Sequence, residues 1–224
     1  MAAPKMIVVA GGPSAGKTAV LQHLADLLRR HQFRPLLVPA MLPQMESFGM
    51  RFKDDCITED QLLKWESVQR RMQVEQEETT KFAATKFGFK NPVILVDRGL
   101  PSAYISMVQY DLLMRKAALK DRISLDRYDG VIYMRTRTDE EQVLTFDDGD
   151  LSKRHRQEIQ EDVDKLRERN EEVWQQHPNF VLIDALPHDK FRKRLQLAGE
   201  GLAKLLNFKL ESGWDSSLDQ TLPT

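Results

Sequence analysis

The chain has 224 residues, 33 basic and 34 acidic, giving a formal net charge of −1, with 41% hydrophobic and 30% charged residues. That length suits one domain of ordinary composition, and the near-zero charge offers no global positive field for a nucleic acid polymer or an anionic membrane. The single cysteine, Cys56, excludes an internal disulfide and a multi-cysteine zinc site, so a small, partly buried thiol in a reducing, cytoplasmic setting is expected.

Lys5 to Ala10 is a short apolar run that reads as a buried parallel strand. The chain enters this strand almost at once, so no secretory signal is expected, and no apolar run approaches the roughly 18 residues of a membrane span. Gly11-Gly12-Pro13-Ser14-Ala15-Gly16-Lys17-Thr18 follows and fits G-x-x-x-x-G-K-[ST], the phosphate-binding P-loop. Glycines there let backbone N–H groups wrap phosphate oxygens. Lys17 is placed to meet the β- and γ-phosphates of ATP, and the Thr18 hydroxyl to ligate Mg²⁺. Val20, Leu21, Leu24, Leu27 and Leu28 then recur at helical spacing, so the loop opens a helix whose positive end faces the anion. A glycine-rich turn that binds nothing is the alternative, and the strand–loop–helix order argues against it.

Arg34 to Pro39 predicts a second strand. Residues 40–57 lack clean periodicity and read as a loop or short helix, bordering a pocket or forming an irregular core lid. Thr58-Glu59-Asp60-Gln61 resembles a capping box opening a long helix, with Leu62, Trp65, Val68 and Met72 at helical intervals and the pattern resuming at Phe82. Asn91-Pro92 breaks that helix. Val93 to Val96 is a β-branched run ending in Asp97-Arg98-Gly99, and residues 101–123 are mostly helical in pattern.

Val131 to Met134 and Phe180 to Ile183 predict two more strands, with Ile159, Val163, Leu166, Val173 and Trp174 on one helical face between them. His177-Pro178 ends that helix. Phe191, Leu195, Ala198, Leu202 and Leu205 mark a closing amphipathic helix. Five apolar strands alternating with helices specify an α/β, three-layer fold: a five-stranded, mostly parallel sheet flanked by helices, with ligands at the carboxyl ends of the strands. Residues 1–206 are expected to form one domain with a helical lid at about 139–158, and 207–224 a loosely attached tail.

Asp97 stands where a strand ends, the place of an acid that holds Mg²⁺ or accepts a proton from an attacking hydroxyl. A turn with a surface ion pair is its plain alternative. Arg98 beside it suits recognition of an acceptor's phosphate or hydroxyl. Lys153-Arg154-His155-Arg156 is a local basic cluster, either a solvated helix face or a cationic lid in which Arg154 and Arg156 bring charge to the transferring phosphoryl group. The turn at Asp184 and Ala185 is placed to cradle adenine through backbone groups. The histidines show no metal-ligand spacing.

The pattern resembles P-loop kinases of the nucleoside and nucleotide kinase group. The residues that carry it are GGPSAGKT, the WESVQ segment from Trp65 to Gln69, VDRG, the strand DGVIYMRT, and the R-x-R-x-E of Arg154, Arg156 and Glu158. The stretch VDRGLPSAY is also similar to AAA-type P-loop ATPase/kinase domains. The likeness to deoxynucleoside kinases implies that Gln69 faces a nucleobase with Trp65 nearby, that Arg98 lies near the acceptor and that Asp97 lies at Mg²⁺. Trp65 as a core residue is the alternative.

Those kinases have a glutamate base after their second strand, where this chain reads Val38-Pro39-Ala40-Met41. Either Asp97 is the base, or Glu46 reaches in, or the acceptor is already a phosphate. The expected activity is Mg-ATP-dependent phosphoryl transfer to a nucleoside, nucleotide or related metabolite. A P-loop ATPase or nucleotide-dependent switch acting on a protein partner is the alternative. No Asn-Lys-x-Asp guanine reader is present, so GTP specificity is not expected. Residues 101–123 could pair across a homodimer or serve the core.

Overall fold

The computed structural model describes residues 3–12, 15–51, 59–100, 125–136, 168, 170–187 and 190–210. The sheet has five strands: β1 (Lys5–Gly11), β2 (Arg34–Val38), β3 (Pro92–Asp97), β4 (Gly130–Met134) and β5 (Phe180–Ile183). Their order is β2-β3-β1-β4-β5 and every pairing is parallel. The helices are α1 (Lys17–Arg30), α2 (Met41–Ser47), α3 (Glu59–Lys86) and α4 (Phe191–Leu206), and residues 170–175 are also helical.

Alternation along β1 splits the core into two layers, because successive side chains leave a strand on opposite faces. Ile7 and Val9 join Leu24, Leu28, Leu95, Ile132, Leu195 and Leu202 under α1 and α4. Met6, Val8 and Ala10 join Val96, Tyr133 and Trp174 on the other face, with Met72 of α3 packed against them. β2 is an edge strand and tolerates Pro35, whose ring gives no ladder donor.

Two helix ends lock together. Gln32 after α1 and Asn207 after α4 both take left-handed backbone, with φ of 62° and 55°. Phe33 N–H then bonds Leu28 O at 2.9 Å, and Phe208 N–H bonds Ala203 O at 3.0 Å. The rings of Phe33 and Phe208 meet with centroids 5.3 Å apart. Phe208 and Leu210 thus pack on the core, although the expectation had placed them in a loose tail. Residues 211–224, Cys56, Thr58 and the segment 101–123 lie outside the described residues.

The apolar stripe expected on α3 is only partly its buried face. Val68 is 39% and Phe82 62% exposed, whereas Trp65, Glu66, Gln73, Glu77 and Ala84 are buried. Part of that inward face meets polar partners, described below, and there Gln73 and Glu77 occupy it. Among the described residues, no helix is long and apolar enough to cross a membrane.

Candidate functional site

β1 ends at Gly11 and α1 starts at Lys17, so the glycine-rich segment spans the gap between a central strand and a helix N-terminus. Gly16 is the N-cap, in left-handed conformation at φ 82°. A Cβ there would stand 2.6 Å from the Phe191 ring, so both backbone and space call for glycine. No side chain caps α1 and its first turn holds no acid, which leaves the orphan N–H groups of that turn for an anion. Lys17 is buried and its Nζ donates to Gly12 O at 2.5 Å. Burial, and next the Arg98 guanidinium, push its pKa down to about 8, against the pull of Asp97. An ammonium in that state gains from a bound anion. Thr18 is exposed, so its hydroxyl is open to a ligand. Pro13 and Ser14 lie outside the described residues.

Asp97 is the last residue of β3 and pairs with Val9 of β1, two residues before Gly11. Parallel pairing therefore brings the acid beside the mouth of the glycine loop. Its Oδ1 is buried with no hydrogen-bond partner among the described residues. Burial raises the Asp97 pKa, opposed by Arg98 and Lys17. A buried carboxylate oxygen lacking a donor fits a hard cation, and Thr18, Asp97 and phosphate oxygens make a donor set suited to Mg²⁺.

Arg98 takes φ 74° and donates its N–H to Val9 O at 3.0 Å. A non-glycine residue in this region carries strain of about 1–3 kcal/mol and needs surrounding structure to hold it. That structure is present. Gly99 continues at φ 70°, and a Cβ on it would lie 2.9 Å from the Trp174 ring and 3.1 Å from Val8. The Leu100 N–H donates to the Tyr128 hydroxyl at 2.8 Å, and that hydroxyl donates to Glu77 Oε1, also at 2.8 Å. Gln73 Nε2 donates to the same oxygen at 2.8 Å and Arg127 Nε to Oε2 at 3.1 Å, so the fully buried Glu77 carboxylate is satisfied. Buried His177 completes the brace: its Nδ1 accepts from Asn179 N–H at 3.0 Å, which leaves Nε2–H to donate to Tyr128 O at 3.0 Å.

The other expected residues spread around this centre. On α3, Trp65 is buried and Gln69 half-buried one turn later. Glu46 of α2 is exposed. Asp184 is exposed and pairs with Arg135 at 2.6 Å, and Ala185 is half-buried. Arg154 and Arg156 lie outside the described residues.

Sequence reasoning met Glu66 and Arg135 only as members of WESVQ and DGVIYMRT, with no role of their own, and did not single out Glu77 or Tyr128. Arg135 binds Glu171 through Nε at 2.9 Å and Nη2 at 2.5 Å, and its carbonyl accepts from Arg194 at 2.6 Å. The available signal was the recurrence of Glu66, Gln73 and Glu77 at seven- and four-residue steps, a polar stripe on one helical face.

The profile of a family described as an AAA domain matches residues 6–189. No curated protein sequence matches the chain. Among solved structures, shikimate kinase from Acinetobacter baumannii in complex with shikimate is similar at 16% identity and TM-score 0.50, covering 93% of this chain and 96% of that one. NadR protein in complex with NR is similar at 14% identity and TM-score 0.58; it covers 93% of this chain, which spans 51% of that chain. At such identities the likeness is one of fold, and the fold is that of P-loop kinases and NTPases.

Proposed function

The chain belongs to the AAA domain family, and from that premise we propose that it is an Mg-ATP-dependent phosphotransferase acting on a small-molecule acceptor, of nucleoside, nucleotide or related type. The observation that carries this reading is the convergence of Lys17, Asp97 and Arg98 at the carboxyl ends of β1 and β3, beside an uncapped helix N-terminus. A switch protein needs the cradle and the acid; a strained, braced arginine next to that acid suits an enzyme with an acceptor to place. Both solved neighbours bear small molecules, which supports the same class of acceptor.

In this reading the glycine-loop amides and Lys17 hold the β- and γ-phosphates, and the residues at Asp184 and Ala185 border adenine. Thr18 and Asp97 hold Mg²⁺, which supplies charge neutralisation on the phosphates when bound. Arg98 orients the acceptor, a role that its fixed backbone favours because positioning is most of what phosphoryl transfer asks of a protein.

The test is ADP release from Mg-ATP, with and without nucleosides, nucleoside monophosphates and shikimate. Strong stimulation by one class is expected. Uniformly slow release would instead favour an ATPase or switch with a protein partner. Lys17→Ala should lower the stimulated rate by roughly 100-fold or more, with the melting temperature unchanged or raised, because a buried cation is removed.

A further inference from the structure

Glu66 is a buried carboxyl, 5% exposed, whose Oε2 has no hydrogen-bond partner among the described residues. Buried polar atoms are satisfied in the great majority of cases, so an orphan oxygen marks a place for an absent partner. Its direction follows from helix geometry. Glu66, Gln73 and Glu77 are separated by seven and four residues, and at 3.6 residues per turn they share one face of α3. Glu77 looks at the Tyr128 hydroxyl and, through it, at Leu100, which directly follows Asp97-Arg98-Gly99. Glu66 therefore looks to the same side of the sheet.

Its height follows as well. α3 packs on β2 and β3 and reaches β3 through only residues 87–91, so it runs antiparallel to that strand. Twenty residues separate Glu66 from Lys86 at the helix end, about 30 Å of helix, against about 20 Å for the six residues of β3. Glu66 thus stands eleven residues, about 16 Å of helix, beyond Glu77 on the carboxyl-end side of β3, and Glu77 itself meets the turn after Asp97-Arg98-Gly99 through Tyr128.

We propose that Glu66 is an acceptor-binding residue whose carboxyl takes a hydroxyl of the phosphoryl acceptor remote from the reacting one, so that the acceptor is a polyhydroxylated small molecule. This rests on the kinase reading and deepens it. Burial raises the Glu66 pKa from 4.5 to about 8, which keeps the group neutral at pH 7. A neutral carboxyl both donates and accepts, the same capacity as a hydroxyl, and the two match with no charge left buried.

The experiment measures ADP release from Mg-ATP by wild type, Glu66→Leu and Glu66→Gln, with adenosine, guanosine, cytidine, uridine, thymidine and shikimate as probes. MgADP affinity is measured alongside by calorimetry. For the probe that best stimulates wild type, Glu66→Leu should raise KM by roughly 30-fold or more. MgADP affinity should be unchanged and the melting temperature no lower. Glu66→Gln, which keeps a donor and an acceptor, should raise KM less, and it stands in should the leucine variant fail to fold. A KM within about threefold of wild type in folded Glu66→Leu overturns the inference and leaves the kinase reading intact. Loss of MgADP affinity in that variant also overturns it, by moving Glu66 to the nucleotide. Absence of stimulation in wild type by every probe overturns this inference, and absence of stimulation by nucleoside monophosphates as well removes the kinase reading with it.

Discussion

Helices α1 and α3 both pack on the sheet, but they bury different mixtures of surface. α1 turns Val20, Leu21, Leu24, Leu27 and Leu28 inward, an all-apolar stripe that belongs to the core. α3 turns inward two carboxyls and an amide beside Trp65 and Ala84, and leaves Val68 and Phe82 in solvent. Apolar burial is non-directional and tolerates any matching shape, whereas a buried carboxylate must be met by named donors at fixed distances. α1 therefore makes the fold, and α3 fixes where one turn of it sits, the turn carrying Asp97 and Arg98.

Breaking that contrast starts with Glu77. Glu77→Ala leaves Tyr128, Arg127 and Gln73 without their common acceptor, and urea denaturation should show a loss of about 3–5 kcal/mol. Leu24→Ala should cost about 2–5 kcal/mol through its cavity, yet its folded fraction should keep wild-type turnover while that of Glu77→Ala falls. If the folded fractions of both variants turn over alike, α3 is only another packing helix.

Glu66 sharpens the contrast through pH. Its folded pKa lies above the unfolded value, so the folded protein holds a proton that the unfolded chain releases. That stability is fully present below pH 4.5 and is lost as pH rises through about 8. Wild type should lose on the order of 1 kcal/mol per pH unit across that window relative to Glu66→Leu. Parallel stability curves for the two proteins would contradict it. The smallest effect belongs to the outer face: Phe82→Ser should change stability by less than about 0.5 kcal/mol, as read by the urea midpoint.

The same contrast explains what was legible in the sequence. Strands β1, β3 and β4 and helix α1 carry their burial as unbroken or periodic apolar residues, and GGPSAGKT carries its chemistry in residue types that few other uses require. The brace around Arg98 is written differently. Tyr128, Glu77 and Leu100 have no periodic relation to one another, and only the parallel register and the antiparallel run of α3 bring them together. Val68 and Phe82 misled because apolar residues at helical spacing look the same whether they meet a core or water. Glu66 was given no role within WESVQ because a glutamate in a charged helix is ordinarily solvated.

Arg135 has a consequence for chain statistics. It and Glu171 are 36 residues apart and close a long excursion of the chain at its two feet. Closing a loop of that length costs about 3 kcal/mol in chain entropy, more than the roughly 1 kcal/mol of a half-exposed ion pair. The pairing of β4 with β5 must therefore do the closing, and Arg135 decides only the spot. Arg154 and Arg156 fall between Arg135 and Glu171 in the sequence, so that spot fixes where the segment bearing them leaves β4 and where the chain rejoins β5.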